Sequence, residues 1–397
     1  MASLHDPKEN LIELTILLIL TGAGWLLAVY FLSRPALCAM PAPWWICLVL
    51  MGLAARLAAW HVPLVLTDDP FRYRWEGRLQ SEGGNPYLTA PASTKPQPGD
   101  ERIPGSDFRA IYGPLLLLVE RATYPLAGET ILNWRFPSIA GDLLTALFLA
   151  LWHRSPRWLI YWLCPLPIIE FWSSGHHDAI LLALLALGLW LGKRAGVIAW
   201  SLAVYTKYWP ILLIPFFNAR RGLIAVLAGS LLFIPYLGDW DKLANNARYL
   251  SGFVGGWRNN DSFYGLLLAI TGDAYYAKYL AFTLIALAWL VIARLDWPLE
   301  RKCLALIIAL LLLSANVHPW YLTWMLPFLT KQPFLPAMVG IVLAPLFYAP
   351  LFDWLWWHHW DGVRDTRWLV YGGVAASAIS GAFIRTMGST VPSNEEK

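Results

Sequence analysis

The residue types best suited to chemistry in this sequence are two adjacent carboxylates that follow directly on a hydrophobic stretch. They are Asp68 and Asp69, in the segment Thr67-Asp68-Asp69-Pro70. A carboxylate can act as a general base and take the proton from an attacking hydroxyl group. Asp69, next to Pro70, also fits the N-cap of a helix, and Asp68 would then be free to point into a site. We therefore predict Asp68 and Asp69 as the catalytic residues, with Asp68 as the favoured base.

Basic and imidazole side chains in later segments could stabilise a departing phosphate group. Charged hydrogen-bond donors are common protein ligands of phosphate. Each candidate has an ordinary alternative: the paired histidines could cap the helix predicted from 178, the third histidine and the arginine could be plain loop structure, and the lysine could contact lipid headgroups. The predicted ligands of such a phosphate, or of the group attached to it, are His176, His177, Lys207, Arg258 and His318. His358 and His359 lie among tryptophans typical of an aromatic belt and are left out.

The composition indicates that a membrane protein positions these side chains. Of all residues, 58% are hydrophobic and 14% are charged, whereas soluble domains carry about 25% charged residues. Lysine and arginine form short clusters between apolar runs, which is a topology signal and no sign of nucleic-acid binding. A spanning helix needs about 20 apolar residues. The predicted spans are 11–32 (retained, not a signal peptide), 44–61, 133–152, 157–172, 178–192, 222–238, 275–293, 303–316, 319–330, 333–351 and 366–384.

The basic clusters also predict the orientation of the chain, because lysine and arginine are enriched in cytoplasmic loops. The clusters can share one side only if 196–217 enters the membrane and returns, so we predict a re-entrant helical hairpin with 207–210 near its tip. The alternative is one kinked span. Four polar clusters then share the outer face: 68–69, 175–178, 257–261 and 316–320. The predicted cytoplasmic markers are Arg34, Arg154, Arg157, Lys193, Arg194, Arg220, Arg221, Arg294, Arg301, Lys302, Lys331 and Arg385.

The longest segment between spans is the outer loop 62–132. Its runs 69–82 and 114–126 are predicted to form amphipathic interfacial helices, whereas four prolines make 91–106 irregular. We see no repeat and no soluble part, so the chain is predicted to be one transmembrane domain, 1–397, with a flexible tail at 388–397. No nucleotide-binding fingerprint occurs, so a nucleotide-sugar donor is not expected. Neither a disulfide nor a zinc site is expected from Cys38, Cys47, Cys164 and Cys303.

Several short motifs, in a fixed order between about 65 and 330, resemble those of integral-membrane GT-C glycosyltransferases. The closest likeness is to the bacterial α-mannosyltransferases that use polyprenyl-phosphate mannose. The motifs are Thr67-Asp68-Asp69, Arg72-Tyr73, Trp75-Glu76-Gly77, Gly84-Asn85-Pro86-Tyr87, Tyr112-Gly113-Pro114-Leu115, Gly175-His176-His177-Asp178, Lys207-Tyr208-Trp209-Pro210 and Asn316-Val317-His318-Pro319-Trp320-Tyr321.

The resemblance implies an all-α GT-C bundle, here about 11 transmembrane helices plus the re-entrant hairpin. It implies an inverting transfer of a hexose, with mannose expected, from a polyprenyl-phosphate donor to a glycan, glycolipid or protein acceptor. The acid that opens the first outer loop would be the base, which maps to Asp68 or Asp69, and no metal or cofactor is expected. The motif residues predicted to bind the acceptor or support the loops are Arg72, Tyr73, Glu76, Asn85, Tyr87, Tyr112, Asp178 and Asn316.

The implied location is the bacterial inner membrane, with the site facing the periplasm and in contact with membrane lipids. A secondary transporter or lipid flippase is the competing hypothesis, because broken helices such as 196–217 also occur there. Transporters, however, often show repeat symmetry and keep charges at the midplane. The polar clusters of this sequence instead fall at one predicted surface.

Overall fold

The protein is helical throughout the part that the computed structural model describes, residues 7–32, 41–238, 257–357 and 359–388. Within these ranges no sheet forms, and the one extended pairing is an isolated bridge between Asn259 and Asn316. The predictions for Arg34, Cys38, His358 and the tail beyond 388 lie outside the described residues. Helices of eight or more residues are α1 (Pro7–Leu32), α2 (Ala42–Trp60), α3 (Asp69–Ser81), α4 (Pro114–Ala127), α5 (Phe136–His153), α6 (Asp178–Val204), α7 (Ile214–Gly229), α8 (Phe263–Thr271), α9 (Ala274–Arg294), α10 (Leu299–Leu313), α11 (Leu335–Leu343), α12 (Ala349–Trp357) and α13 (Arg367–Gly388).

Several helices are suited to a bilayer by length and composition, which confirms the prediction of an all-helical, multi-pass membrane protein. Among the described residues, seven segments are long and apolar enough to cross. Their lipid-facing surfaces carry exposed leucine, isoleucine and phenylalanine, as a membrane span requires. The seven segments are Leu11–Leu32, Pro43–Trp60, Ile131–His153, Asp178–Val204, Ile214–Tyr236, Ala274–Arg294 and Leu335–Trp357.

Two predicted spans, 157–172 and 319–330, are not continuous helices. The first is split into short turns at Pro156–Trp158, Leu159–Trp162, Pro165–Pro167 and Ile168–Ser173, and the second into Pro319–Met325 and Leu326–Leu329. Proline lacks the backbone N–H that a helix interior needs and clashes with the preceding turn. These segments are buried in the hydrophobic core, so the freed backbone groups are shielded from lipid by neighbouring helices.

A sharp turn at Gly192 folds α6 back on itself, so the candidate segment Asp178–Val204 is two legs and not one continuous helix. Gly192 has φ 73° and ψ 178°, a backbone conformation open almost only to glycine. Trp200 Nε1 donates to the carbonyl of Leu185 at 2.9 Å, although these residues are 15 apart in sequence and would lie about 22 Å apart in a straight helix. The two legs 178–191 and 193–204 are therefore antiparallel.

A second break, at Asn218, turns the chain again within α7. Before it, the ring of Phe217 stacks on Trp200 at 4.3 Å. After it, Gly222 lies against Val197. The segment 193–217 thus rises along one leg, turns at 205–213 and returns beside that leg, so Lys193 and Arg220 lie beyond the same end. We call 193–217 the hairpin.

The helix α3 lies inside the protein, which corrects the prediction of an amphipathic interfacial helix at 69–82. Its side chains from Pro70 to Arg78 are nearly all buried, including three arginines. Arg74 and Arg78 both pair with Asp100, at 3.1 and 2.5 Å. Asp100, in the loop that follows, neutralises the charges of these arginines. For this reason so polar a helix can be buried. By contrast, α4 buries one face and leaves Leu126 85% exposed.

A buried ion pair ties the spanning helices together beneath the site. Arg56 of α2 donates to Asp142 of α5 at 2.7 Å, and both side chains are fully buried. Asp142 also accepts from the hydroxyl of Tyr161 at 2.6 Å and from Trp172 Nε1 at 2.9 Å. With every polar group paired, this charge pair can lie in the low-dielectric interior. It fixes α2, α5 and the broken segment 159–173 relative to one another.

Candidate active site

The first turn of α3 gives the two adjacent aspartates different surroundings. Asp68 occupies the N-cap position without a side-chain capping bond, and Asp69 is the first helical residue. The prediction that Asp69 is the N-cap is therefore wrong. Pro70 falls in the first helical turn, where its missing N–H has no intrahelical partner to lose. The backbone N–H of Asp69 donates to Thr67 Oγ1 at 3.1 Å, which steadies this start.

Asp68 lies at the rim of the site. Its carboxylate pairs with Arg102, and the two side chains remain 38% and 45% exposed. The Arg102 guanidinium also lies over the ring of Phe71, 4.3 Å from its centroid. Burial raises the pKa of Asp68, although Arg102 opposes this effect. The carboxylate of Asp68 is thus already bound to a cation and faces outward.

Asp69 faces the interior of the site. Its Oδ2 atom lies 3.3 Å from Nδ1 of His176 and accepts a hydrogen bond from the hydroxyl of Tyr73 at 3.3 Å. Burial alone would disfavour the charge, but His176, His318 and Lys207 outweigh it and lower the pKa of Asp69. The side chain is still 19% exposed. Asp69 is therefore an ionised carboxylate that a substrate can reach.

His176 joins Asp69 to a second, deeper acid. Its Nε2 atom lies 3.3 Å from Oε2 of Glu170, and both side chains are fully buried. Tyr348 donates its hydroxyl to the two oxygens of Glu170, at 2.7 and 2.9 Å. The imidazole stacks on the indole of Trp320 at 3.7 Å. Asp69, His176 and Glu170 thus form a line of two acids bridged by an imidazole, and Tyr348 holds its inner end.

His318 reaches the same place from the far part of the chain. Its ring also stacks on the indole of Trp320, with ring centroids 4.3 Å apart. It meets the ring of Tyr321 edge-on, at 5.4 Å between centroids. Burial lowers the pKa of His318 to about 3, so the imidazole is neutral at physiological pH. A neutral imidazole can still donate one hydrogen bond. Its role as a phosphate ligand stays a prediction.

Lys207, at the tip of the hairpin, is occupied by an acid of the neighbouring helix. Its Nζ atom lies 2.9 Å from both oxygens of Asp178. The ammonium also lies near the rings of Tyr112, Tyr321 and Trp324, at 5.4, 4.8 and 5.5 Å from their centroids. Trp324 Nε1 donates to Asp178 at 2.6 Å. These contacts hold the ammonium group of Lys207 in place, and its role as a phosphate ligand stays a prediction.

His177 lies in a second buried cluster next to the first. Its ring stacks on Tyr73 at 3.8 Å, and Nδ1 lies 3.6 Å from Oε1 of Glu120. Burial lowers the pKa of His177 to about 3. It occupies the N-cap position of α6 but makes no side-chain capping bond. The capping alternative for His177 is therefore wrong, because its ring turns toward Tyr73 and Glu120 instead.

Glu120 completes this cluster with Glu76. Glu76 accepts from Arg72 Nε at 2.7 Å, and Arg72 also donates to the carbonyl of Gly105 at 3.1 Å. Both oxygens of Glu120 and one of Glu76 are buried without a hydrogen-bond partner of good geometry. Burial and the neighbouring charge of Glu76 raise the pKa of Glu120 well above its usual range. Two such carboxyl groups are most stable when they share one proton.

Arg258 is held by the acid three residues along its own loop. Its Nε and Nη2 atoms lie 2.8 and 2.7 Å from Oδ2 of Asp261, and Arg367 lies 3.6 Å from the other oxygen. The next residue of this loop, Asn259, connects it to the segment of His318 through hydrogen bonds of its backbone and its side-chain amide. Asn259 donates to Asn316 Oδ1 at 3.0 Å and accepts from the N–H of Val317 at 2.8 Å. Asn316 therefore supports the loops rather than facing Asp69.

The remaining motif residues also support the loops. Asn85 donates to the carbonyl of Tyr236 at 2.8 Å and accepts the N–H of Tyr87 at 3.0 Å. Tyr87 donates its hydroxyl to the carbonyl of Tyr112 at 2.6 Å. The N–H of Gly113 in turn donates to the carbonyl of Thr206 at 3.0 Å. The outer loop is thus bonded to the tip of the hairpin.

Taken together, these contacts bring Asp69, Tyr73, His176, His177 and His318 around one centre, with Lys207 and Asp178 close by. Among the described residues, no group of three His, Cys, Asp or Glu side chains is arranged to hold a metal ion. The sequence analysis missed two buried acids and a cation. Glu170 and Glu120 are lone acids in apolar runs, and this position could have marked them as functional candidates. Arg102 lies in an irregular segment, where its sequence context does not distinguish it.

Comparison with known proteins assigns this arrangement to a family. The family model described as alpha-(1→6)-mannopyranosyltransferase, N-terminal domain, of the MptA/B family, matches residues 2–221. The chain belongs to this family. It is therefore a mannosyltransferase that uses polyprenyl-phosphate mannose, as the motifs predicted. No curated protein and no solved structure matches the chain.

The family match covers only part of the candidate site. Asp68, Asp69, the histidine pair and Lys207 lie inside the matched residues, whereas Arg258 and His318 follow them. The transporter hypothesis has no support from this match. The single-domain prediction and the roles of individual residues stay predictions.

Proposed function

We propose that this mannosyltransferase transfers mannose with inversion at the outer, periplasmic face of a bacterial inner membrane, and that Asp69 is its general base. The acceptor is a hydroxyl group of a glycan, glycolipid or protein. The observation that carries the proposal is the setting of Asp69, an accessible carboxylate with a lowered pKa beside His176. This revises the preference for Asp68, whose carboxylate is paired with Arg102 at the rim.

The proposed reaction is a single displacement. The acceptor oxygen attacks the anomeric carbon of mannose while the bond from that carbon to the phosphate oxygen breaks. Asp69 takes the proton of the attacking hydroxyl, and the electron pair of the broken bond leaves with the prenyl phosphate. His176 and Tyr73, at 3.3 Å from the carboxylate, aim it at the hydroxyl.

The outer location rests on the arrangement of the hairpin. Its basic ends, Lys193-Arg194 and Arg220-Arg221, lie beyond the end opposite its tip, and the tip reaches Asp178 beside the site. Basic ends belong in the cytoplasm under the positive-inside rule. The site then lies at the other surface. The prediction of about 11 spans is part of this proposal. The described residues contain seven candidate segments.

Two matched variants test the assignment of the base. Asp69→Asn keeps the shape of the side chain and removes the base, so we expect turnover to fall about 10²–10⁴-fold while donor binding remains. Asp68→Asn breaks a half-exposed ion pair, which typically contributes about 0–1 kcal/mol, so turnover should stay within about a factor of ten. The measurement is the initial rate of labelled mannose transfer by purified, detergent-solubilised protein.

The folding of each variant is checked by size exclusion and thermal melting before rates are compared. Loss of activity in a folded Asp68→Asn protein, with near-normal turnover in Asp69→Asn, would reverse the roles. Full activity in both variants would exclude the proposed mechanism.

A further inference from the structure

A cavity opens beside Asp68, between the ends of two spanning segments. Its volume is about 440 Å³, and its walls are Trp60, His61, Val62, Pro63, Leu64, Arg102, Ile131 and Leu132. Trp60 ends α2, and Ile131 begins the segment that leads into α5. Since both segments are membrane-span candidates, the cavity lies where an apolar chain could enter sideways from the bilayer. Its volume is within the usual range of small-molecule sites, about 300–1,000 Å³.

Arg102 is the charged wall of this otherwise mostly apolar cavity. Its side chain is 45% exposed and its partner, Asp68, is 38% exposed. An ion pair so open to water is weak and exchangeable. Arginine presents several N–H donors in a fork that matches phosphate oxygens. A phosphate could therefore displace Asp68 from Arg102 without leaving a deeply buried charge unpaired.

The other cations near the site are less available. Lys207 is bound by Asp178 with side chains 12% and 2% exposed, and Arg258 is bound by Asp261. The imidazole of His177 is buried, and burial lowers the pKa of His318 to about 3, so that imidazole carries no positive charge at neutral pH. A departing phosphate dianion needs a positive partner. Of Arg102, Lys207 and Arg258, Arg102 is the cation whose carboxylate partner is exposed to water.

A second arginine adds positive charge behind the same wall. Arg135 is fully buried. It donates to the carbonyls of Trp60 and Val62, two wall residues, at 2.8 and 2.9 Å. Over the described ranges, Arg135 pairs with no carboxylate. Its charge is therefore not cancelled locally, and it favours an anion at the mouth of the cavity.

We propose that Arg102 and this cavity form the phosphoprenyl subsite of the donor: Arg102 binds the phosphate, and the cavity takes the isoprene units next to it. The subsite places the phosphate beside the aspartate pair, where the leaving group of the proposed transfer must lie. The inference rests on the proposed function for its substrate. Its test is binding of a mannose-free prenyl phosphate, which does not require turnover.

The probe is decaprenyl phosphate added to the full-length protein in detergent, followed by the rise in melting temperature and by inhibition of transfer. Arg102→Gln should weaken binding about tenfold to hundredfold through loss of charged hydrogen bonds, and Arg102→Lys by less. Arg121→Gln, which changes an exposed arginine on α4, is the matched control and should bind as wild type. Wild-type binding by Arg102→Gln would overturn the proposal.

Filling the cavity tests the lipid part separately. Leu132→Trp should weaken decaprenyl phosphate but leave inhibition by inorganic phosphate unchanged, whereas Arg102→Gln should weaken both. Leu147→Trp, an exposed leucine of α5 away from the cavity, is the control. If Leu132→Trp binds the prenyl phosphate like wild type, the cavity is not the prenyl site.

The outcome is independent of the catalytic assignment. Loss of prenyl phosphate binding in Arg102→Gln supports the subsite even if Asp69→Asn proves active. Conversely, unchanged binding overturns the subsite even if Asp69 is the base.

Discussion

Glu120 illustrates how burial, at the scale of a single residue, decides which acids of the site carry charge. Asp69 lies beside His176 and has a lowered pKa, whereas Glu120 is buried beside Glu76 and has a raised one. Of these two acids, Asp69 is the one that can serve as an ionised base at neutral pH. Glu120 instead lies beside His177, and His177 packs on the tyrosine that contacts Asp69.

The raised pKa of Glu120 predicts how stability depends on pH. The folded protein keeps the proton of Glu120 at a pH where the unfolded chain has released it, so folding loses stability as pH rises above the ordinary pKa of glutamate. The loss is about 1.4 kcal/mol for each pH unit in which only the unfolded state is ionised. Glu120→Gln removes this cost, so we expect a higher melting temperature at neutral pH and a flatter dependence on pH.

The measurement for this prediction is thermal unfolding of the purified protein between pH 5 and 8, with Glu82→Gln as the control. Glu82 is an exposed acid of the same outer loop, and its replacement should leave the pH dependence unchanged. A Glu120→Gln protein less stable than wild type at neutral pH would show that an ionised Glu120 stabilises the fold.

At the scale of elements, the hairpin is the part that assembles the site. Its tip bonds to the outer loop, where the N–H groups of Gly113 and Leu115 donate to the carbonyls of Thr206 and Tyr205 at 3.0 and 2.9 Å. Tyr208 donates its hydroxyl to the carbonyl of Tyr112 at 3.2 Å. The outer loop, the start of α6 and the tip thus hold one another in place.

The ion pair between Lys207 and Asp178 leads to a prediction about the stability of the fold. Lys207→Met alone leaves Asp178 buried without its partner, which typically costs about 3–5 kcal/mol. The double variant Lys207→Met, Asp178→Asn leaves no unpaired charge, so we expect it to be more stable than the single variant. The measurement is thermal unfolding of the single and double variants. A stable Lys207→Met protein with weakened donor binding would instead identify Lys207 as a phosphate ligand.

At the scale of the whole molecule, the proposed topology places both basic ends of the hairpin on one side of the membrane. In a variant without native cysteines, Lys193→Cys and Arg220→Cys should react with an impermeant thiol reagent from the cytoplasmic side only. Lys95→Cys, in the exposed part of the outer loop, should react from the periplasmic side. Labelling of positions 193 and 220 from opposite sides would exclude the returning hairpin and make 196–217 a true span.

The sequence by itself determined the class of the protein and predicted the place of its chemistry. Apolar runs indicate membrane helices because a bilayer core has no water to hydrogen-bond an open backbone. Asp69, His176 and Lys207 stood out because polar side chains are costly beside such runs. The basic residues at the two ends of 196–217 also predicted a re-entrant hairpin there.

Only the tertiary structure decided which charges face each other. The difference between Asp68 and Asp69 depends on a one-residue shift in the start of α3, and their partners, Arg102 and His176, lie 34 and 107 residues further along the chain. Lys207, predicted from the sequence as a phosphate ligand, is paired with Asp178 and surrounded by three aromatic rings. Such pairings depend on distances of a few ångströms between remote segments, and hydropathy and residue spacing carry no information about them.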